Sequence, residues 1–318
     1  MGTDGIIDKT IQAMRSCEAS AAREMRGTGK HSDMKDKYSM NAGKRDAEAS
    51  FLPAYHYSPW KEGRTKEEQE ALLLAEEMEI ADGVEEIGNY TFYGCGRLRS
   101  LSFTDSLKRI GGGSFTGCSA LRELHVLMGE GAKSCIMDVA AETFHEVFVT
   151  ITFRETGDRA KLVFPEYYEE GVENTPARIL ETHFSRLRLS LPPVFTEKRV
   201  DYHRYDSLFE VAKVYEKPEI LIPMAMGRLM YPRELGEEAG NAYAAYVREH
   251  LKEAGAYFLK RREWHSALCY LAEYAVQRAE EMELLLGLAS GCGMAEAVSL
   301  LMEEKRKRFG RAVKSFEF

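Results

Sequence analysis

A spacing of 23 residues constrains this chain more than any other feature. Ile87-Gly88 recurs as Ile110-Gly111, Phe92 as Phe115, Gly94-Cys95 as Gly117-Cys118, Leu98 as Leu121, Leu101 as Leu124 and Phe103 as Val126, all at a spacing of 23. Asp82 and Val84 recur as Asp105 and Leu107 in the same register. Self-similarity at a fixed period of this size specifies a solenoid: one coil cannot bury its own apolar face and must stack on the next.

The chemistry of a coil follows from its residues. Leu98-x-x-Leu101-x-Phe103 reads as a short strand whose alternate side chains point inward. Gly94 permits a tight turn ahead of it. Phe92 and Ile87 fill the core from the opposite side, and parallel stacking places equivalent residues about 4.7–4.9 Å apart. The structural set is therefore Ile87, Phe92, Cys95, Leu98 and Leu101, then Ile110, Phe115, Cys118, Leu121 and Leu124. Adding 23 once more gives Phe144, Val147 and Val149 as a degenerate third strand. Between 132 and 143 a helix is expected in place of the turn motif, with Ile136, Val139 and Ala140 inward. The strand continues through Ile151 and Phe153, turns at Thr156-Gly157-Asp158, and returns as an antiparallel partner over Lys161 to Phe164. This makes 128–165 the cap of the stack.

Outside the repeat the signals differ. Residues 1–50 hold few strong core formers (Ile6, Ile7, Ile11 and Tyr38) among many charges and are expected to be poorly ordered apart from a short helix near Ile7–Met14. Thr65 with Glu68 is a capping box opening a helix, and Glu76 to Ile80 turns into strand. From Pro165 onward the pattern is helical. Thr175-Pro176 starts one helix, Pro192-Pro193 breaks the chain, Ser207 with Glu210 makes a second capping box, and Pro218, Pro232, Gly255, Gly291 and Gly310 punctuate further helices. Ala267–Leu271 and Ala297–Leu301 match at a spacing of 30, a faint ankyrin-like echo. The expected fold class is α+β: a short leucine-rich-repeat solenoid with a β-hairpin cap, then an all-α domain. The boundaries fall at 1–64, 65–165 and 166–318.

Composition narrows function. The net charge of −8 and pI near 5.7 argue against nucleic acid, since neutralising phosphates needs a basic surface. No apolar run reaches the ~18 residues of a membrane span. The N-terminus, with Asp4 and Asp8, does not read as a secretory signal, and the six scattered cysteines form no CxxC pair. A cytoplasmic location is expected.

The stretch from Ile87 to Val126 resembles the BspA-type leucine-rich repeat of bacteria, carried by Ile87-Gly88, Phe92, Gly94-Cys95, Leu98 and Leu101 and by their counterparts 23 residues on. Thr104 stands where that family has a proline. Val163–Phe184 is similar to the second half of uncharacterised repeat proteins from clostridia. The resemblance implies a recognition scaffold rather than a reaction. The candidate partner-binding ladder is Arg99 on Arg122, Ser100 on Glu123, and Ser102 on His125, because solenoids use outward strand residues as extended surfaces.

Other constellations are weaker. Cys95 and Cys118 share a turn position and are expected to be buried thiols. Gly27-Thr28-Gly29-Lys30 lacks the spacing of a phosphate loop. His145-Glu146 has no second histidine at zincin spacing. Glu166, Glu169 and Glu170 read as an acidic first helical turn. The run Lys305–Arg308, with Arg311 and Lys314, reads as cations near a helix C-terminus. No cofactor, no metal and no catalytic set is expected; the partner is expected to be another protein. An enzyme using Glu169, His183 and His203 and a surface adhesin are the rival readings.

Overall fold

The computed structural model describes residues 37–40, 51–52, 72–166 and 194–310. The Thr65 capping box, the helices expected near 7–14 and after Thr175, Glu169, Glu170, His183, Arg311 and Lys314 lie outside the described residues. The chain divides into two compact units: described residues up to 220 together with 233–235, and residues 221–232 together with 236–310.

The first unit is a parallel β-solenoid. Its long sheet contains β1 (Lys37–Met40), β3 (Glu77–Ile80), β5 (Ser100–Thr104), β7 (Glu123–Met128), β8 (Val147–Phe153) and β9 (Arg159–Phe164), in that order. A second, three-stranded sheet stacks β2 (Phe51–Leu52), β4 (Glu86–Ile87) and β6 (Arg109–Ile110). One of these strands, β1, falls within residues 1–50, the segment whose composition predicts little order. Pairing is parallel from β1 to β8 in the long sheet, and Leu101 lies opposite Leu124. The inward rows are dry: Leu98 is 1% exposed and Leu121 0%. Phe92 and Phe115 stack with ring centroids 5.3 Å apart.

The turn side is held coil to coil by backbone hydrogen bonds. Tyr90, Phe92 and Gly94 N–H groups donate to the carbonyls of Gly112, Ser114 and Thr116 at 3.2, 3.0 and 2.9 Å. Close stacking also explains Gly113, whose φ is +70° and where a Cβ would come within 2.3 Å of the Tyr90 ring.

The third coil departs from the 23-residue register. Leu124 pairs with Val149 and Val126 with Ile151, a step of 25, so the expected alignment on Phe144, Val147 and Val149 is corrected by two residues. The reason is helix α1 (Ile136–Glu142), which replaces the turn and takes more chain, with Ile136, Val139 and Ala140 inward as the pattern predicts. A slip of two keeps each side chain on its face, whereas a slip of one would invert them all. Phe144, left outside the strand, is 58% exposed. Ile110 is half-buried rather than buried, because β6 is the last strand of its sheet.

Glu142 closes the turn side. The amides of Gly113 and Phe115, equivalents of Tyr90 and Phe92, donate to its Oε1 and Oε2 at 2.8 and 2.7 Å. One carboxylate thus accepts two of the bonds a further coil would have taken. Tyr205 performs the same service at the sheet edge. It lies in α2 (Tyr202–Ser207), is 0% exposed, accepts from Val163 N–H at 2.7 Å and donates to Val163 C=O at 2.9 Å. The small hairpin β10 (Phe195–Thr196) and β11 (Arg199–Val200) precedes it.

The Ser207 capping box does not form. Asp201 caps α2 by accepting from Arg204 N–H, and Ser207 donates to the Arg204 carbonyl. Leu208 is itself helical, so α3 (Phe209–Tyr215) follows without a free N-terminus to cap.

The second unit is helical: most of α4 (Pro218–Met230), then α5 (Glu237–Glu249), α6 (Leu251–Phe258), α7 (Trp264–Tyr270), a π-turn (Leu271–Ala275), α8 (Ala279–Gly291) and α9 (Ala295–Phe309). Residues 221–230 of α4 are all buried, a largely apolar stretch that nevertheless includes Arg228. Gly255 does not break a helix. It sits inside α6, where a Cβ would meet Leu285 Cδ2 at 2.6 Å, so it marks a close approach to α8.

Candidate functional site

The alternation that buries one face of the long sheet leaves the other in water. On β7 the pattern from Glu123 to Met128 is strictly exposed then buried. The register builds three outward rows. One runs Glu77, Ser100, Glu123, Phe148; another runs Glu79, Ser102, His125, Thr150, Lys161. A third runs Thr104, Leu127, Thr152, Arg159. Leu127 is 40% exposed at its middle.

Of the residues expected to bind a partner, Ser100 lies opposite Glu123 and Ser102 opposite His125. His125 Nε2 is 3.6 Å from Glu123 Oε2 on the same strand. Arg99 and Arg122 stand just before their strands, and Arg122 N–H donates to Arg99 C=O at 3.0 Å. Their guanidinium groups turn to the acidic margin: Arg99 lies 3.8 Å from Glu76, and Arg122 lies 3.6 Å from Glu146. The Arg99 pair is exposed and contributes about 0–1 kcal/mol, whereas Arg122 is half-buried and also donates to the carbonyls of Ser119 and Leu121 at 3.0 and 3.1 Å. Sequence reasoning missed the breadth of the face. Subtracting the period from Ser100 and Ser102 would have found Glu77 and Glu79, but Thr150 and Lys161 depend on the changed step after β7.

Polar bonds at the strand ends fix the face. Hydrogen bonds from Ser106 and Thr104 hold the Asp82 carboxyl below its ordinary range. One coil later, Asp105 accepts from Gly129 N–H at 2.9 Å and pairs with Arg154 at 3.1 Å.

The remaining sequence candidates are placed as follows. Cys95 and Cys118 are buried, and the Cys118 thiol donates to Phe92 C=O at 3.1 Å. Burial, and secondarily Cys95 nearby, pushes that thiol up to about 12. His203 is exposed on α2. The basic run is engaged within its own unit: Lys305 pairs with Glu283, Lys307 with Glu303 and Glu304, and Arg308 donates to the carbonyls of Ala272 and Val276 around the π-turn. Among the described residues no group of three or more His, Cys, Asp or Glu is placed to hold a metal ion, and no helix is long and apolar enough to cross a membrane.

Stacked parallel coils with an open strand face, followed by helices, define a leucine-rich-repeat solenoid with a helical C-terminal half. Residues 73–134 match the family model described as BspA type Leucine rich repeat region (6 copies), so the chain carries a BspA-type repeat region, here spanning fewer than three 23-residue periods. No curated protein and no solved structure matches the chain.

Proposed function

We propose that the protein is a non-catalytic recognition scaffold that binds another protein through the outward face of its long sheet. The observation that carries this reading is the contrast between the two faces of β7: Leu124 and Val126 are 0% and 2% exposed, while Glu123, His125 and Leu127 between and beside them face solvent. Charged, hydroxyl and apolar groups repeat there at fixed spacing on a rigid support, which is how solenoids recognise extended surfaces. The BspA-type repeat supports interaction or adhesion in general terms. A cytoplasmic setting belongs to the same proposal, supported by Cys95, Cys118 and Cys135 forming no disulfide.

The test is a pull-down from native lysate with wild type and an Arg99/Arg122/His125 triple alanine variant, with circular dichroism confirming that both fold. The expected outcome is a protein captured by wild type and lost from the variant. The same protein in both arms, or none in either, overturns the assignment of this face.

A further inference from the structure

The turn between β10 and β11 is built from Glu197 and Lys198, with φ of +51° and +67°. Two-residue hairpin turns with both central residues in the left-handed region favour Asn and Gly, because a larger side chain is strained there. Such strain persists only where the surroundings over-determine it. They do so here. Glu197 pairs with Lys133 at 3.2 Å, and Ser134 N–H donates to Lys198 C=O at 2.9 Å. Lys198 Nζ donates to Lys108 C=O at 3.0 Å and to Asp138 Oδ1 at 3.1 Å. These contacts hold Nζ 3.6 Å from the Sγ of Cys135, just ahead of α1. Cys135 is 0% exposed, and the neighbouring Ser134 Oγ is buried without a hydrogen-bond partner.

We propose that Cys135 and Lys198 are a covalent modification site, joined as Sγ–O–Nζ when molecular oxygen oxidises the pair. The thiol S–H and two N–H bonds of the ammonium break, S–O and O–N bonds form, and the O–O bond is cleaved. One oxygen atom remains as the bridge and the other leaves as water. Four electrons pass from sulfur and nitrogen to oxygen. Two of the three released hydrogens go into that water, and the third leaves as a proton to the Asp138 carboxylate. Burial pushes the Cys135 thiol up to about 11, which slows thiolate chemistry such as disulfide exchange, so the pairing with Lys198 rests on the 3.6 Å approach of the two groups. The bridge fixes the hairpin to the repeat cap and is released by a thiol reductant.

The experiment uses the full chain held in air-saturated buffer, with an anaerobic reduced sample beside it, and tryptic mass mapping of both. The expected product joins peptides 134–154 and 189–199, with the mass of the two plus one oxygen and less two hydrogens. It disappears with dithiothreitol and is absent from Cys135→Ser and from Lys198→Arg, which keeps the charge. Recovery of only the separate peptides from wild type overturns the proposal. So does an oxygen adduct confined to Cys135, a direct S–N link lacking the oxygen, or the corresponding oxygen-bridged pair of peptides in Lys198→Arg.

Discussion

The two units are both well buried, but by different rules. In the solenoid nearly every core side chain rests on its counterpart one coil away, as Leu101 does on Leu124. In the helical unit contacts are individual, as where Gly255 admits Leu285 and Leu288. A periodic core determines one face and leaves the opposite face free to vary, because the pleat separates them. A core of singular contacts leaves no such regular open surface. That difference is why the candidate site lies on the sheet.

The first way to break this contrast is to exchange the faces of β7. Leu124→Ala should cost about 2–5 kcal/mol in urea or thermal unfolding, through lost burial plus a cavity against the neighbouring coils. Leu127→Ala, three residues on, should change stability by no more than about 0.5 kcal/mol. Similar losses for both would mean that the open face is part of the core.

The second prediction concerns where periodicity stops. Glu142→Ala removes the acceptor for the amides of Gly113 and Phe115. A buried donor left unsatisfied costs about 1–3 kcal/mol. Hydrogen exchange should accelerate at those two amides while Tyr90 and Phe92, which bond to backbone carbonyls, keep their protection. Equal protection in the variant would show that Glu142 does not terminate the stack.

These terminations also mark the limit of what was legible in the chain. The repeat, its inward residues, helix α1 and the antiparallel return could be read because each has a local period or turn signal. The step of 25 after Leu124 could not, since it depends on how much chain α1 consumes. Glu142 and Tyr205 were invisible for another reason: each satisfies backbone groups far away in sequence, and nothing in the local pattern marks that role. Ser207 misled because a capping sequence means little where the preceding helix continues through Leu208. Gly255 misled because a glycine required for close packing looks like one required for a break. Of the candidate face, the central rungs were legible, while its margins needed the register on both sides.

In the helical unit the third test is Gly255→Ala. The atoms in the way are the ends of leucine side chains, which can shift, so the expected cost is about 1 kcal/mol, at the low end of overpacking. Adding Leu285→Ala should give less than the sum of the two single effects, because the residues share one contact. Additivity would place the strain elsewhere.

The smallest effect at neutral pH sharpens the description of the periodic core. Cys118 has its thiol pushed up by burial from 9.0 to about 12. In the unfolded chain the same group loses its proton near its ordinary value, so above that pH the folded state holds more protons than the unfolded one. The buried neutral thiol therefore contributes nothing to the pH dependence below pH 9.0, and stability falls as the pH rises from there toward about 12. Cys118→Ser lacks a group that ionises in this range. Unfolding free energies of the two proteins measured from pH 8 to pH 11 should run parallel at first and converge above pH 9, with wild type falling more steeply. Parallel curves throughout would mean that water reaches this turn, and that the stacked coils are less dry than the burial of their leucines implies.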